Sequence, residues 1–217
     1  MSHRPFIDFE VGQRVVTTEK IVNGLIEIEP LTEGVIVYHS NQVDATVWLR
    51  SLSPKTESAI NKELKTNRYF GKNGQVDGLT LRISRQSLAH KLGWGSDMYY
   101  IAVDKRALVD LPLFNGEGLP EIDTRWYNGN EKYKANVVRD IITVIDDNFC
   151  DWVSDELELR PITEDEREDE NYPDDWTFVY TDESMDKYYE KKDEIELAFA
   201  KATGLYIEFT GGMHFND

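Results

Sequence analysis

The sequence predicts an α+β protein: a small curled β-barrel at the N-terminus, then an α+β region built on a long acidic amphipathic helix. Three observations carry this. Residues 10–50 crowd short Val-, Ile- and Thr-rich runs between turn residues. Residues 131–158 repeat apolar side chains with a helical period. Almost all charge asymmetry lies in the C-terminal third. The chain has 217 residues, 40% of them hydrophobic and 12% aromatic, enough for a core and against a wholly disordered chain. Three segments are expected: 1–52, a mixed basic middle at 53–125, and an acidic α+β region at 126–217.

VGQRVVTT, GLIEIEP, EGVIVYHS and DATVWLR are the first strands, punctuated by Gly12, Gly24, Pro30, Gly34 and Ser40-Asn41. Gly12 opening one strand and Gly34 preceding a Val-rich one resemble SH3-like barrels of the KOW and Tudor kind. That likeness implies an SH3-like β-barrel with a binding role rather than catalysis. Tyr38 and Trp48 suit a core as well as a cage. Ser53-Pro54 reads as an N-cap with Pro at the first helical position, opening a helix to about Lys65. NRYFGKNGQVDGLTLRIS reads as a hairpin ending in a strand, and its GKNG lacks P-loop spacing.

SRQSLAHKLGW (Ser84–Trp94) reads as a short capped helix stopped at Gly93. Leu88, Ala89, Leu92 and Gly93 resemble the LAxxLG of a helix-turn-helix, but the following MYYIAV reads as strand. Residues 111–130 read as a Pro- and Gly-broken loop.

From Glu131 to about Glu158, one helical face collects Val138, Ile141, Ile142, Ile145, Phe149, Trp152 and Val153. The opposite face carries Asp140, Asp147, Asp151, Asp155 and Glu158. Residues 161–175 crowd acids around one base, Arg167, and read as an exposed loop. WTFVY is a strand. Thr181 caps a helix to about Thr203, stopped by Gly204, with Met185, Tyr188, Tyr189, the Lys192 stem, Ile195 and Phe199 inside. LYIEF is the last strand.

The net charge is -17. Residues 140–196 hold 22 Asp and Glu against 5 Lys and Arg, and the rest of the chain balances at 19 against 19. Concentrated charge works against compactness, so a solvated surface competes here with a surface that meets a basic partner. Residues 50–91 are conversely basic, nine bases to three acids. They suit ordinary surface, nucleic acid or the chain's own acidic half.

Catalytic signatures are absent: no GxSxG, HExxH, Rossmann or kinase motif. Cys150 is the lone cysteine, so no internal disulfide forms, and its acidic neighbours should raise its pKa. Asp146, Asp147 and Asp151 could hold Mg²⁺ as a metal-dependent enzyme would. An EF-hand starting at Asp147 fails because its sixth position is Trp152. No apolar run is long enough for a membrane span, and the first residues lack signal-peptide order. A cytoplasmic protein without cofactor is expected.

The charge plan resembles acidic DNA-mimic proteins of bacteriophages, which disable host RNA polymerase or restriction enzymes. The resemblance implies no catalysis. It implies a basic DNA-binding partner, RNA polymerase favoured, in the host cytoplasm. The contact set would be Asp140, Asp146, Asp147, Asp151, Asp155, Glu156, Glu158, Glu164, Asp165, Glu166, Glu168, Asp169, Glu170, Asp174 and Asp175. An immunity- or antitoxin-type protein blocking one basic toxin, and a histone-chaperone-like acidic binder, remain alternatives.

Overall fold

A computed structural model describes residues 9–24, 26–38, 43–49, 79–92, 111–114, 131–167 and 177–213, with backbone only for 131–140 and Arg167. The chain is mixed α and β. Strands β1 (Arg14–Thr17), β2 (Ile21–Asn23), β3 (Ile26–Ile28), β4 (Glu33–Tyr38) and β5 (Asp44–Leu49) come first. They are followed by β6 (Leu79–Ser84), a 3-10 turn (Arg85–Ser87) and β7 (Leu88–Lys91). The C-terminal part holds α1 (Glu131–Glu156), β8 (Leu159–Pro161), α2 (Glu164–Arg167), β9 (Phe178–Tyr180), α3 (Asp182–Thr203) and β10 (Leu205–Tyr206).

Six strands form one sheet in the order β10-β7-β1-β4-β5-β6. Its neighbours are antiparallel except β10 with β7, which are parallel. Among the described residues no sheet closes into a barrel, which corrects that expectation. The physical reason is the pairing at the two ends: β10 bonds to β7 and β6 to β5, and strands from beyond residue 52 extend the sheet on both sides of β1, β4 and β5. The crowded short strands that suggested a barrel belong instead to this open sheet, and they bury side chains on both of its faces. Val15, Ile36, Val47, Leu49, Leu81 and Leu88 share a core on one face. Gly34 is required within it: a Cβ would lie 2.5 Å from Val47 Cγ1 and 2.9 Å from the Trp48 carbonyl oxygen. On the other face, Val16 and Ala89 pack with Ala200 and Tyr206.

The helix expected over Ser84–Trp94 is also corrected. Ser84 does cap a turn, accepting the Gln86 N–H at 3.3 Å, but that turn lasts three residues. Leu88 and Ala89 then enter a strand between β1 and β10. A short apolar run does not separate strand from helix by period. Here the sheet decides, because Leu88 fills one core and Ala89 the other. The helix-turn-helix likeness loses its first helix.

Helices α1 and α3 follow the sequence closely. Thr181 caps α3 through the Ser184 N–H, and Gly204 ends it in the left-handed conformation, φ 76°. Ile141, Ile142, Ile145, Phe149 and Val153 of α1 pack with Tyr188, Ile195 and Phe199 of α3. Tyr189, expected inside, is half exposed. Leu205, Ile207 and Phe209 extend this core toward the sheet. The expected helix at 53–65, the turn at 71–74, the MYYIAV strand and most of the 111–130 loop lie outside the described residues.

Candidate acidic interface

The candidate surface is the outer side of α1. Its inner side is fixed by aromatic contacts. Phe149 stacks on Trp152 at 5.9 Å and on Tyr188 at 5.4 Å between ring centroids. The Tyr188 hydroxyl donates to the Thr210 carbonyl at 2.9 Å. Asn148 donates its side-chain N–H to the Leu113 carbonyl. With that face held, Asp147, Asp151 and Asp155 are exposed on the other. Four helical residues rise about 6 Å, so these carboxylates form a row at roughly that spacing. Glu156, at the last position of the helix, and Glu158, two residues beyond it, are also exposed.

Two residues of the expected contact set have internal duties. Asp146 is partly buried, and its Oδ1 accepts the N–H groups of Thr210 at 3.2 Å and Gly211 at 3.3 Å. It anchors the tight turn after β10. Glu166 accepts a bidentate pair from Arg160, at 2.8 Å for Nη1, and also the Thr163 N–H at 2.9 Å and hydroxyl at 2.8 Å. These donors hold the Glu166 pKa down at about 2, Arg160 contributing most.

Glu164 and Asp165 are exposed on α2. This helical turn lies within the stretch expected to be a loop. Thr163 and Glu166 form a capping box, with Thr163 Oγ1 accepting the Glu166 N–H at 3.3 Å. The T-x-x-E spacing was the signal for it. The side chain of Asp140, and all of Glu168, Asp169, Glu170, Asp174 and Asp175, lie outside the described residues.

Cys150 is partly buried. Burial, then Asp146, Asp147 and Asp151, push its thiol pKa up, which disfavours a nucleophilic thiolate. Among the described residues, no group of three or more His, Cys, Asp and Glu side chains is placed to hold a metal ion. No helix among them is long and apolar enough to cross a membrane.

One polar site was not foreseen. Glu196 is 1% exposed inside the fold. It accepts the Tyr206 hydroxyl at 2.8 Å and the Phe209 N–H at 2.9 Å, and pairs with Lys192 at 3.1 Å. Nearby, Lys91 Nζ bridges Glu33 and Glu208 and sits 5.5 Å from the Tyr206 ring centroid. These contacts join α3, β10 and the sheet.

Family models, curated proteins and solved structures give no match to this chain.

Proposed function

We propose that this protein is a non-enzymatic inhibitor that presents DNA-like charge to a basic DNA-binding channel. RNA polymerase of a host cell is the favoured partner, a restriction enzyme or nuclease the next. The observation that carries this reading is the exposed row Asp147, Asp151 and Asp155, on a helix whose other face is packed. Packing fixes where the carboxylates stand, so little ordering is needed when a partner arrives. DNA carries one charge per roughly 1.7 Å of axis over both strands. The α1 row alone is sparser. Glu156, Glu158, Glu164 and Asp165 broaden it. Backbone contacts to DNA position a protein without reading sequence, so a charge mimic needs no base-like groups. The site of action is the cytoplasm.

The test is displacement of labelled duplex DNA from bacterial RNA polymerase, a restriction endonuclease and an unrelated basic nuclease. The proposal expects displacement from more than one of them, weakening steeply with salt. The variant combining Asp147→Asn, Asp151→Asn, Asp155→Asn and Glu158→Gln should displace DNA far less while keeping its circular dichroism spectrum. Undiminished displacement by that folded variant would sink the reading. Displacement from a single enzyme only would favour an immunity-type inhibitor.

A further inference from the structure

The strands of the β8–β9 ribbon are flanked by acids in the chain but are not themselves acidic. Its register pairs Leu159 with Tyr180, Arg160 with Val179 and Pro161 with Phe178. Directly paired residues share a face. Arg160 and Val179 therefore lie on one face. Val179 is buried there, and Arg160 is locked to Glu166. Leu159, Pro161, Phe178 and Tyr180 lie on the other, where Tyr180 packs partly buried against the C-terminal core and Leu159 and Phe178 stay exposed. Leu159 is 55% exposed and Phe178 56%. Single exposed apolar residues are ordinary, but neighbours on one small ribbon face form a patch. Glu158, Glu164 and Asp165 border it in the chain, all exposed. Asp182 and Glu183, also exposed, open the helix that follows β9. Lys187 is engaged with Glu183 at 3.0 Å.

We infer that this ribbon face is the apolar centre of the acidic surface, and that it receives a basic amphipathic segment of a partner protein. An apolar side chain of the partner covers Leu159 and Phe178, and flanking Lys or Arg meet the acidic rim. Charge decides the occupant. A second copy of this chain would bring the same acidic rim against itself, and nucleic acid or an anionic lipid surface would be repelled likewise. A desolvated apolar centre inside a polar rim is where binding energy concentrates. The inference rests on the acidic surface being a binding surface, and adds to charge mimicry a contact that DNA does not offer.

The experiment titrates the isotope-labelled full chain by NMR with two peptides of equal charge. One contains lysine and leucine, and the other has serine for every leucine. The leucine peptide should bind about tenfold tighter, the worth of roughly one buried side chain. Its amide shifts should centre on 158–165 and 178–183. Leu159→Ser with Phe178→Ser should erase the difference and leave serine-peptide binding unchanged. Equal affinity of the two peptides, or shifts confined to the α1 row, would overturn the inference. So would self-association of the wild type that the same double variant abolishes. The two proposals fail separately. Loss of DNA displacement in the α1 variant, together with equal affinity of the two peptides, removes only the ribbon role. A ribbon-dependent peptide preference without DNA displacement removes only the mimicry.

Discussion

The hydroxyl of Tyr206 donates to Glu196 Oε2 at 2.8 Å where both side chains are buried. This bond ties the edge strand β10 to the middle of α3. Removing the donor leaves a buried carboxylate oxygen without its partner. That costs about 1–3 kcal/mol, because the lost bond is not replaced by water. Tyr206→Phe keeps the ring and its place beside Lys91, so the change isolates the hydroxyl. It should lower the midpoint of thermal unfolding by several degrees, at roughly 2–4 °C per kcal/mol for a chain of this size. Scanning calorimetry of the two proteins checks this.

Glu196 also sets a pH dependence. Burial raises its pKa above the ordinary 4.5, outweighing Lys192, Tyr206 and the Phe209 N–H, which favour the charged form. Between the unfolded value and this raised one, the folded protein binds more protons than the unfolded chain. Stability contributed by this group therefore falls as pH rises through that window. Glu196→Gln keeps an acceptor for Tyr206 and cannot ionise. The stability difference between variant and wild type should shift in favour of the variant as pH climbs above 4.5. Urea unfolding across that range, done on both proteins, reads the difference directly. Parallel curves would mean that the charge is not what burial opposes.

Arg160 and Glu166 behave in the opposite sense. Glu166 has its pKa held at about 2, against 4.5 unfolded. The unfolded chain binds more protons between these values. The contribution is complete above pH 4.5 and is lost as pH falls through about 2. Since Glu166 also receives the Thr163 N–H and hydroxyl, its protonation should loosen α2 in the same range. An NMR titration of the Glu166 side chain should give a midpoint near 2, and in Arg160→Gln it should move toward 4.5. An unchanged midpoint in that variant would show that Thr163 alone holds the carboxylate.

What the sequence made legible was local. Thr181 and Gly204 bounded α3 because an N-cap oxygen and a left-handed glycine act within one turn. The apolar face of α1 was readable for the same reason: its period lies within the helix. What escaped depended on distant partners. Nothing near Leu88 announces that β1 and β10 will flank it, since Leu205 pairs with His90 across more than a hundred residues. Glu196 and Asp146 look like any other acids on acidic helices. Their inward roles arise from the N–H groups of Phe209, Thr210 and Gly211, supplied by a segment that follows the helices. Thr163 and Glu166 differ, because the capping box stood in the sequence but was hidden by the density of charge around it.

Asp151 lies between Asp147 and Asp155 on the outer row of α1, with an acid four residues to either side. Like charges at that spacing oppose each other by about 0.2–0.5 kcal/mol per pair. Asp151→Asn removes both repulsions and leaves the packed face untouched. It should stabilise the protein by about 0.4–1 kcal/mol at low salt, and less as salt screens the row. The same change should weaken displacement of DNA from the partner. Stability and binding moving in opposite directions is the signature of a surface kept charged for a purpose. Urea unfolding at two salt concentrations, beside the DNA-displacement assay, measures both. If Asp151→Asn stabilised the fold and left displacement unchanged, the row would be solvated surface and the contact would have to lie elsewhere.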